Sequence, residues 1–265
     1  MSYSAFARCY DSLTRNVNYA GRADYLCAAL SRLTHKPGLT LDMACGTGSL
    51  TLELAKRGFD VFGLDASPEM LSIAQHKACA AGKDILFICQ KMQEMDLYGT
   101  VDTVICMLDS INHILSLREL EETFRRVSLF LNPGGCFLFD VNTVYKHCKI
   151  LADNVFVYDI PDVYCVWQNR LEPKNACVAV SLDFFVRHGM VYERTSEHFS
   201  ERAYQQEAVC AILKKVGLEV KAVWGDLTFQ APGPKEERMV FAVCKPGNST
   251  AAAKNPKNHC LVVDK

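Results

Sequence analysis

Between Leu39 and Val141, five apolar runs of strand length alternate with segments of helix length, and this alternation constrains the fold more than any other feature. Short apolar runs separated by amphipathic segments are typical of β-α-β units. Strands joined in this way lie parallel and need helices on both faces of the sheet. We therefore predict an α/β fold with a doubly wound, mostly parallel sheet.

The predicted elements follow one another without long gaps. Strands are predicted at Leu39 to Ala44, Val61 to Leu64, Ile85 to Cys89, Thr103 to Leu108 and Cys136 to Val141. The helices between them are predicted at Leu50 to Arg57, Pro68 to Ala81 and Leu117 to Leu131. Before the first strand, leucines at helical intervals and a stop at Pro37-Gly38 predict one or two helices, assigned to an N-terminal helical cap over residues 1–38.

The alternation changes between Val155 and Phe199, where apolar and polar residues follow one another with a period of two. This period is typical of antiparallel strands with one buried face. We predict an antiparallel β insertion, a lid over residues 154–199, within an α/β domain formed by residues 39–153 and 200–246. The domain is completed by a helix at Tyr204 to Val216 and strands at Leu218 to Val223 and Met239 to Val243, followed by a disordered tail over residues 247–265.

Composition limits the classes of partner. The 265 residues include 29 basic and 30 acidic side chains, a net charge of -1, so no nucleic-acid partner is expected. The start of the chain lacks the layout of a secretion signal and the apolar runs are too short to cross a bilayer, which predicts a cytoplasmic protein without membrane contact. The 13 cysteines lack Cys-x-x-Cys spacing and the histidines lack ligand spacing, so we expect reduced thiols and no metal.

The sharpest chemical signal is the glycine turn after the first strand, Cys45-Gly46-Thr47-Gly48. Because glycine has no Cβ atom, Gly46 and Gly48 let a ligand approach the backbone closely. Asp65 follows the next strand about 20 residues later, where a carboxylate can accept both hydroxyls of an adenosine ribose. A tight turn without ligand is the alternative, and the pairing with Asp65 disfavours it. A nicotinamide cofactor is disfavoured because the turn lacks the third glycine of a pyrophosphate site.

Three segments, Leu41 to Gly48, Gly63 to Leu71 and Asn132 to Gly135, resemble the motifs of class I S-adenosylmethionine-dependent methyltransferases. This resemblance implies a seven-stranded Rossmann-like sheet, an S-adenosyl-L-methionine cofactor, and methyl transfer to a nitrogen or oxygen of a small molecule. Within the family, the Tyr10-Asp11 pair and the insertion after the fifth strand are most similar to small-molecule enzymes that include the aminosugar N-methyltransferases.

The resemblance also implies which residues bind the cofactor. Asp42 approaches the methionyl amino group through water, while Gly46 and Gly48 line the methionine. Asp65 holds the ribose hydroxyls. The remaining members of the cofactor-binding set are Tyr10, Arg22, Ala44, Ala66, Met70, Met92, Gln93 and Leu108.

Within this set, Ala66 and Met70 pack near the adenine, and Met92 lies against its ring, with the backbone of Gln93 at the ring edge. Lys91 departs from the family, which commonly has an acid there. A lysine has no acceptor for the adenine amino group, so the backbone at Met92 and Gln93 is expected to serve instead.

The resemblance places Tyr10 and Arg22 over the cofactor, with Arg22 on its carboxylate. The guanidinium of arginine suits a two-pronged carboxylate contact. A solvated helix face is the alternative for Arg22.

Two candidates for a general base, Asp109 and His113, follow the fourth strand at the edge of the sheet where open α/β folds bind ligands. His113 is the better candidate because the unperturbed pKa of histidine is about 6.5. Two alternatives remain: His113 is only a helix cap or a pocket wall, or the reaction needs no base because alignment and desolvation of a neutral amine suffice.

In the insertion, Tyr164, Trp167 or His198 is expected to face the acceptor, although the sequence does not assign the faces of its strands. The insertion could instead be an outward-facing dimerisation sheet. At the level of function, the alternatives to a methyltransferase are an NAD-dependent oxidoreductase and a catalytically silent cofactor-binding protein. The methyl acceptor and the oligomeric state are not fixed by the sequence.

Overall fold

The computed structural model describes residues 4–247, so the predicted tail lies outside the described residues except for its first position. The strands are β1 (Leu39–Met43), β2 (Asp60–Asp65), β3 (Phe87–Cys89), β4 (Val101–Cys106), β5 (Leu131–Asn142), β6 (Val155–Ile160), β7 (Val163–Glu172), β8 (Cys177–His188), β9 (Val191–Arg202), β10 (Glu219–Gly225) and β11 (Arg238–Cys244). The helices are α1 (Ser4–Leu13), α2 (Tyr19–Arg32), α3 (Ser49–Lys56), α4 (Pro68–Ala80), α5 (Leu117–Phe130) and α6 (Gln206–Lys215).

Seven strands form the main sheet in the order β10-β11-β5-β4-β1-β2-β3. β1 pairs in parallel with β2 and β4, and β3 and β5 continue the parallel pairing on either side. At the far edge, β11 pairs antiparallel with both β5 and β10, so β11 alone runs against the direction of the other strands. The strand order reverses at β1, so the crevice between the carboxyl ends of β1 and β4 is where such sheets bind ligands. The predicted doubly wound, mostly parallel seven-stranded sheet is confirmed.

Apolar side chains cover both faces of this sheet. On one face, Phe124 of α5 packs against Phe139 of β5 with ring centroids 5.3 Å apart. On the other face, Leu26 and Leu30 of α2 share a buried cluster with Leu54 of α3. Burial on both faces explains why the strands appear in the sequence as continuous apolar runs rather than as alternating ones.

Several element boundaries differ from the prediction, and two of the differences have a clear physical cause. β5 begins at Leu131 rather than at Cys136, and the residues between them bulge out of the ladder, because Leu131 pairs with Val101 whereas Cys136 already pairs with Thr103. α6 begins at Gln206 rather than at Tyr204. Tyr204 is buried and its hydroxyl donates to the carbonyl of Ile114, so this residue is fixed by tertiary structure and not by the helix.

β6, β7, β8 and β9 form a second, four-stranded antiparallel sheet. Alternate residues of β8, among them Val180, Leu182 and Phe184, are buried on one face. Phe6 of α1 packs on this face, with its ring centroid 5.9 Å from that of Phe184. The expected antiparallel insertion is therefore present, with one apolar face directed toward α1.

No helix within residues 4–247 is long and apolar enough to cross a membrane. In the same part of the chain, no group of three His, Cys, Asp or Glu side chains is placed to hold a metal ion. The cysteines described there are free thiols.

Candidate active site

A cavity lies at the point where the strand order reverses, at the carboxyl end of β1. Both glycines of the turn have left-handed backbone, with φ of +54° at Gly46 and +72° at Gly48. A Cβ atom at Gly48 would lie 2.9 Å from Cβ of Ala74, so this glycine also permits close packing of α4. The cavity is lined by Tyr10, Tyr19, Asp42, Ala44, Cys45, Gly46, Thr47, Ser49, Leu50, Met107, Leu108 and Ser110.

Asp65, at the end of β2, accepts hydrogen bonds from two backbone N–H groups, one of which belongs to the glycine turn. Its Oδ2 accepts from the N–H of Gly46 at 2.8 Å, and its Oδ1 accepts from the N–H of Ser67 at 2.9 Å. Burial raises the pKa of Asp65, and these two hydrogen bonds oppose the shift. The carboxylate is thus held rigidly, and each oxygen keeps a lone pair for a further donor.

Asp42 lies beneath the cavity on β1 and is nearly inaccessible to solvent. Desolvation raises its pKa to about 7, although the hydroxyl of Thr51 donates to Oδ2 at 2.6 Å and partly offsets that shift. Asp42 therefore shares its oxygens between Thr51 and the cavity.

Helix α1 is attached to the glycine turn through Asp11. Oδ1 of Asp11 accepts from the hydroxyl of Thr47 at 2.6 Å, and Oδ2 forms an ion pair with Nζ of Lys77 at 2.8 Å. Lys77 also donates to the hydroxyl of Ser49 at 2.6 Å. Because Asp11 is fixed in this way, its neighbour Tyr10 lines the cavity, where desolvation raises the phenol pKa well above its usual value.

Arg22 has a protein partner in this structure. Its Nη1 and Nη2 donate to the two oxygens of Asp226 at 3.0 and 3.2 Å, and Nη1 lies 4.0 Å from Oδ2 of Asp140. The guanidinium is therefore not a solvated helix face, and the carboxylate bound to it belongs to the β10–β11 connection.

The residues assigned to the adenine lie at the carboxyl ends of β2 and β3. Ala66 is exposed, whereas Met70 is buried in the first turn of α4. Met92 and Gln93 form a short 3-10 turn, and Sδ of Met92 lies 3.9 Å from Sγ of Cys106. Lys91, just before them, forms an ion pair with Glu94 at 3.2 Å.

The turn after β4 is held in an unusual backbone conformation by a buried acid. Leu108 and Asp109 have φ of +61° and +57°, a region in which residues with side chains are rare. Their N–H groups donate to the two oxygens of Asp140 at 3.0 and 2.6 Å. This contact stabilises the strained turn that brings Leu108 to the cavity.

Both carboxylate oxygens of Asp109 accept hydrogen bonds from other side chains. Nη2 of Arg238 donates to its Oδ1 at 2.9 Å, and Nδ2 of Asn142 donates to its Oδ2 at 2.9 Å. Although burial opposes ionisation, Arg238 and Lys146 hold the pKa of Asp109 well below its usual range. Asp109 is thus an ionised structural acid at neutral pH.

His113 ends a 3-10 turn over Ser110–His113 and has 41% of its side chain accessible. Its ring centroid lies 5.2 Å from that of Phe199 on β9. Desolvation lowers its pKa, while Asp109 and Asp65 act in the opposite direction. An accessible imidazole that is neutral near pH 7 is chemically able to accept a proton.

The register of the second sheet separates the three residues expected at the acceptor. Trp167 pairs with Leu182 and lies on the apolar face that packs toward α1. Tyr164 and His198 lie on the opposite face, where Tyr164 pairs with Phe185 and the exposed His198 contacts the hydroxyl of Ser181 at 3.0 Å. The expectation that Tyr164 or His198 faces the acceptor is not supported by this register, because alternate residues of a strand point to opposite faces.

Several residues that hold the site together carry no local signal in the sequence. Examples are Lys77, Asp226 and Arg238, which contact site residues between 66 and 204 positions away along the chain. No local spacing marks such contacts, since they depend on how the elements pack.

Comparison with known proteins agrees with this geometry. A family of methyltransferase domains matches residues 40–135. The protein named "Putative methyltransferase YqeM" in Bacillus subtilis (strain 168) is 34% identical over 246 residues, covering 92% of this chain and 98% of its own. The solved S-adenosylmethionine-dependent methyltransferase from Clostridium acetobutylicum ATCC 824 is 33% identical, covers 93% of this chain and 100% of its own, and has a TM-score of 0.84. This chain belongs to the class I S-adenosylmethionine-dependent methyltransferases.

The methyltransferase fold extends to more distant proteins. CalS10, an amino pentose methyltransferase from Micromonospora echinaspora, shares 20% identity with this methyltransferase, covers 92% of it and 98% of its own chain, and has a TM-score of 0.72. At that identity the similarity establishes a common fold alone.

The cavity of this methyltransferase fits S-adenosylmethionine. A Cβ atom at Gly46 would meet no atom within 4 Å, so the turn leaves open space against its backbone. Asp42 and Asp65 place carboxylates beside this space, and carboxylates suit an amino group, ribose hydroxyls and a sulfonium charge.

Proposed function

We propose that this methyltransferase transfers the methyl group of S-adenosylmethionine to a nitrogen or oxygen of a small molecule bound beside His113, where this residue meets the second sheet. The observation that carries the proposal is the contact between His113, next to the cofactor cavity, and Phe199 of β9, at 5.2 Å between ring centroids. This contact joins the end of the cofactor site to the inner face of the antiparallel sheet.

The cofactor, when bound, supplies an electrophilic methyl group on a sulfonium sulfur. In the proposed arrangement, Asp65 binds the ribose hydroxyls, Asp42 lies near the methionyl amino group, and Arg22 lies near the carboxylate. The residues assigned to the adenine are Ala66, Met70, Met92 and Gln93. Tyr10, Ala44, Gly46 and Leu108 line the cavity, and Gly48 is assigned with Gly46 to the methionine. The rigid support of Asp65 by Gly46 and Ser67 favours tight orientation of the ribose.

Of the two candidate bases, His113 is the one that the electrostatics favour. Its lowered pKa keeps the imidazole neutral near pH 7, and its ring is accessible. Asp109 has both oxygens engaged, and the adjacent Arg238 and Lys146 keep it ionised and weakly basic. We assign to His113 the removal of a proton from the acceptor nitrogen or oxygen during or after methyl transfer.

We further propose that residues 154–199 act as a lid over the acceptor, and that residues 1–38 cap the cofactor. The apolar inner face of the second sheet and its packing on α1 support both assignments. A lid that excludes water strengthens the electrostatic interactions of the reacting groups. The free thiols among residues 4–247 support a reducing, cytoplasmic location.

Incorporation of labelled methyl groups from S-adenosylmethionine into pooled small metabolites tests the proposal. We expect a labelled small-molecule product, and we expect His113→Gln to reduce its formation by about 10²-fold or more if His113 is a general base. Phe185→Leu, a change on the outer face of the second sheet, is the matched control and should leave the rate unchanged. Labelling confined to protein or nucleic acid would contradict the proposal.

A further inference from the structure

Two further titratable side chains, those of Glu201 and His147, lie behind His113, and the three form a row that leads into the protein interior. Oε1 of Glu201 on β9 lies 3.9 Å from Nε2 of His113, and Oε2 lies 3.8 Å from Nε2 of His147. The side chain of Glu201 is 6% accessible and that of His147 is fully buried. The roles assigned so far to the site do not use either residue.

The backbone around this row is tied together by hydrogen bonds. Nδ2 of Asn112 donates to the carbonyls of Asn142 and Arg202 at 3.2 and 2.9 Å, and the N–H of Asn142 donates to Oδ1 of Asn112 at 2.8 Å. Arg202 donates to the carbonyl of Leu115 at 2.8 Å. The residues next to His113 and Glu201 are therefore held in register, so the approach of the two side chains is built into the fold.

The tautomer of His147 follows from its partner. Nδ1 lies 2.9 Å from the carbonyl oxygen of Ala176. A carbonyl only accepts, so Nδ1 carries the proton and Nε2 of the neutral ring is an acceptor. Nε2 is buried without a hydrogen-bond partner and faces the carboxyl group of Glu201.

At 3.8 Å, Nε2 of His147 and an ionised Oε2 of Glu201 would be two acceptors facing each other, and a proton on Glu201 makes this contact favourable. Burial lowers the pKa of His147 and raises the pKa of Glu201 to about 8, with the charge of Asp109 adding to the second shift. Both shifts favour a proton on Glu201 over one on His147, and Oε2 is the oxygen that faces the bare Nε2 of His147. Oε1 is then the carbonyl oxygen of a neutral carboxyl group and accepts hydrogen bonds.

We propose that Glu201 is a positioning residue that fixes the tautomer of His113. Its two oxygens lie 3.9 Å from Nε2 of His113 and 3.8 Å from Nε2 of His147, and a side-chain movement of under about 1 Å brings both contacts to hydrogen-bond distance. Oε1 then accepts from Nε2–H of His113, so that Nδ1 is the basic atom, and His147 orients Glu201 by accepting its proton. This inference rests on the proposed role of His113 as the base. The arrangement differs from a carboxylate that balances an imidazolium, because the carboxyl group of Glu201 is neutral.

Nearby charged groups also shift the pKa values of His113, Glu201 and His147. Asp109 and Asp65 favour a charged His113, whereas Lys146 and Arg238 favour ionisation of Glu201. Lys146 also lowers the pKa of His147. The net effect of burial and these charges favours a protonated Glu201 between the neutral rings of His113 and His147.

Because this proposal concerns a proton position, it is tested directly by nuclear magnetic resonance on the full chain labelled with ¹⁵N-histidine. Long-range ¹H–¹⁵N correlation spectra distinguish protonated from bare ring nitrogens, and His113→Gln and His147→Gln assign the two rings. Above the pKa of His113, we expect its Nε2–H tautomer in roughly tenfold excess over the other. His147 should show the opposite tautomer, with Nδ1 protonated.

Two substitutions at Glu201 separate a neutral carboxyl group from a charged one. Glu201→Gln has the same donor and acceptor pattern as the protonated acid, so it should preserve both tautomers. Glu201→Leu removes the acceptor and should reduce the Nε2–H excess at His113 to the modest preference for that tautomer that a free neutral histidine ring already has. Glu197→Gln, four residues earlier on the same strand and face, is the matched control and should change neither ring.

The proposal is overturned if His113 is protonated on Nδ1 in the natural protein, or if Glu201→Leu leaves the ratio of its two tautomers unchanged. Loss of the preference in Glu201→Gln would equally overturn it, because a carboxylate charge would then be needed. A protein that shows the expected tautomers but transfers no methyl group would contradict the proposed function alone. An active enzyme with the opposite tautomer of His113 would contradict only this inference.

Discussion

Arg22 and Asp226 form a two-pronged ion pair, with both terminal nitrogens of the arginine bonded to the two carboxylate oxygens at 3.0 and 3.2 Å. The same geometry is what an arginine offers to the carboxylate of an amino acid. If Arg22 binds the cofactor carboxylate, Asp226 and the cofactor compete for one guanidinium.

Asp226→Asn should therefore strengthen binding of S-adenosylhomocysteine by about three- to tenfold, because the competing charge is removed. Calorimetry measures the change. 5′-Methylthioadenosine, which lacks the amino-acid portion, is the control ligand, and its affinity should not change. Weaker binding of S-adenosylhomocysteine, or equal changes for both ligands, would show that Arg22 does not bind the carboxylate.

Asp65→Ala should weaken binding of S-adenosylhomocysteine by about 2 to 4 kcal/mol, the value of two charge-assisted hydrogen bonds to the ribose. Asp60→Ala, at the exposed start of the same strand, is the control and should bind like the natural protein. Calorimetry gives the affinities, and circular dichroism checks the fold. Unchanged affinity in Asp65→Ala would place the ribose elsewhere.

Asp11→Ala should loosen α1, because one ion pair and its hydrogen bonds to the glycine turn are lost. We expect faster hydrogen exchange at the Thr14 amide, which donates to the carbonyl of Tyr10 at 2.9 Å. Lys77→Met removes the same ion pair from the other side and should have a similar effect. Glu53→Gln, which affects ion pairs on α3, should leave exchange in α1 unchanged.

The folded protein should become less stable as the pH rises from the pKa of Glu201 in the unfolded chain toward its pKa in the folded protein. Its pKa is about 8 in the folded protein and about 4.3 in an unfolded chain, so the folded state binds more protons between these values. The free energy of unfolding then decreases by up to about 1.4 kcal/mol per pH unit in this window.

Glu201→Gln should flatten this dependence, since the amide does not titrate. Urea unfolding at several pH values between about 5 and 8 measures the slopes in the two proteins. Asp42, whose pKa is raised to about 7, contributes in the same direction and keeps some slope in the variant. Parallel curves for the natural protein and Glu201→Gln would show that Glu201 ionises normally in the fold.

The sequence by itself determined the sheet and the position of the cofactor site. The central strands are buried on both faces, and this burial requires continuous apolar runs, which are visible in the sequence itself. Gly46, Gly48 and Asp65 can also be recognised in the sequence as candidate cofactor-binding residues. A turn, a strand end and a spacing of about 20 residues are local features. The boundaries of β5 and α6 were less accurate, since a bulge and the tertiary bond of Tyr204 decide them.

The tertiary structure alone decided which charges meet. Arg22 forms an ion pair with Asp226, which is 204 positions away, and Asp109 forms one with Arg238, which is 129 positions away. The faces of β7 to β9 depend on register, which places Trp167 inward and His198 outward. His113 was visible as a candidate base, but Glu201 and His147 acquire their protonation states from burial and from one another. Desolvation and pairing depend on three-dimensional distance, which sequence spacing does not encode.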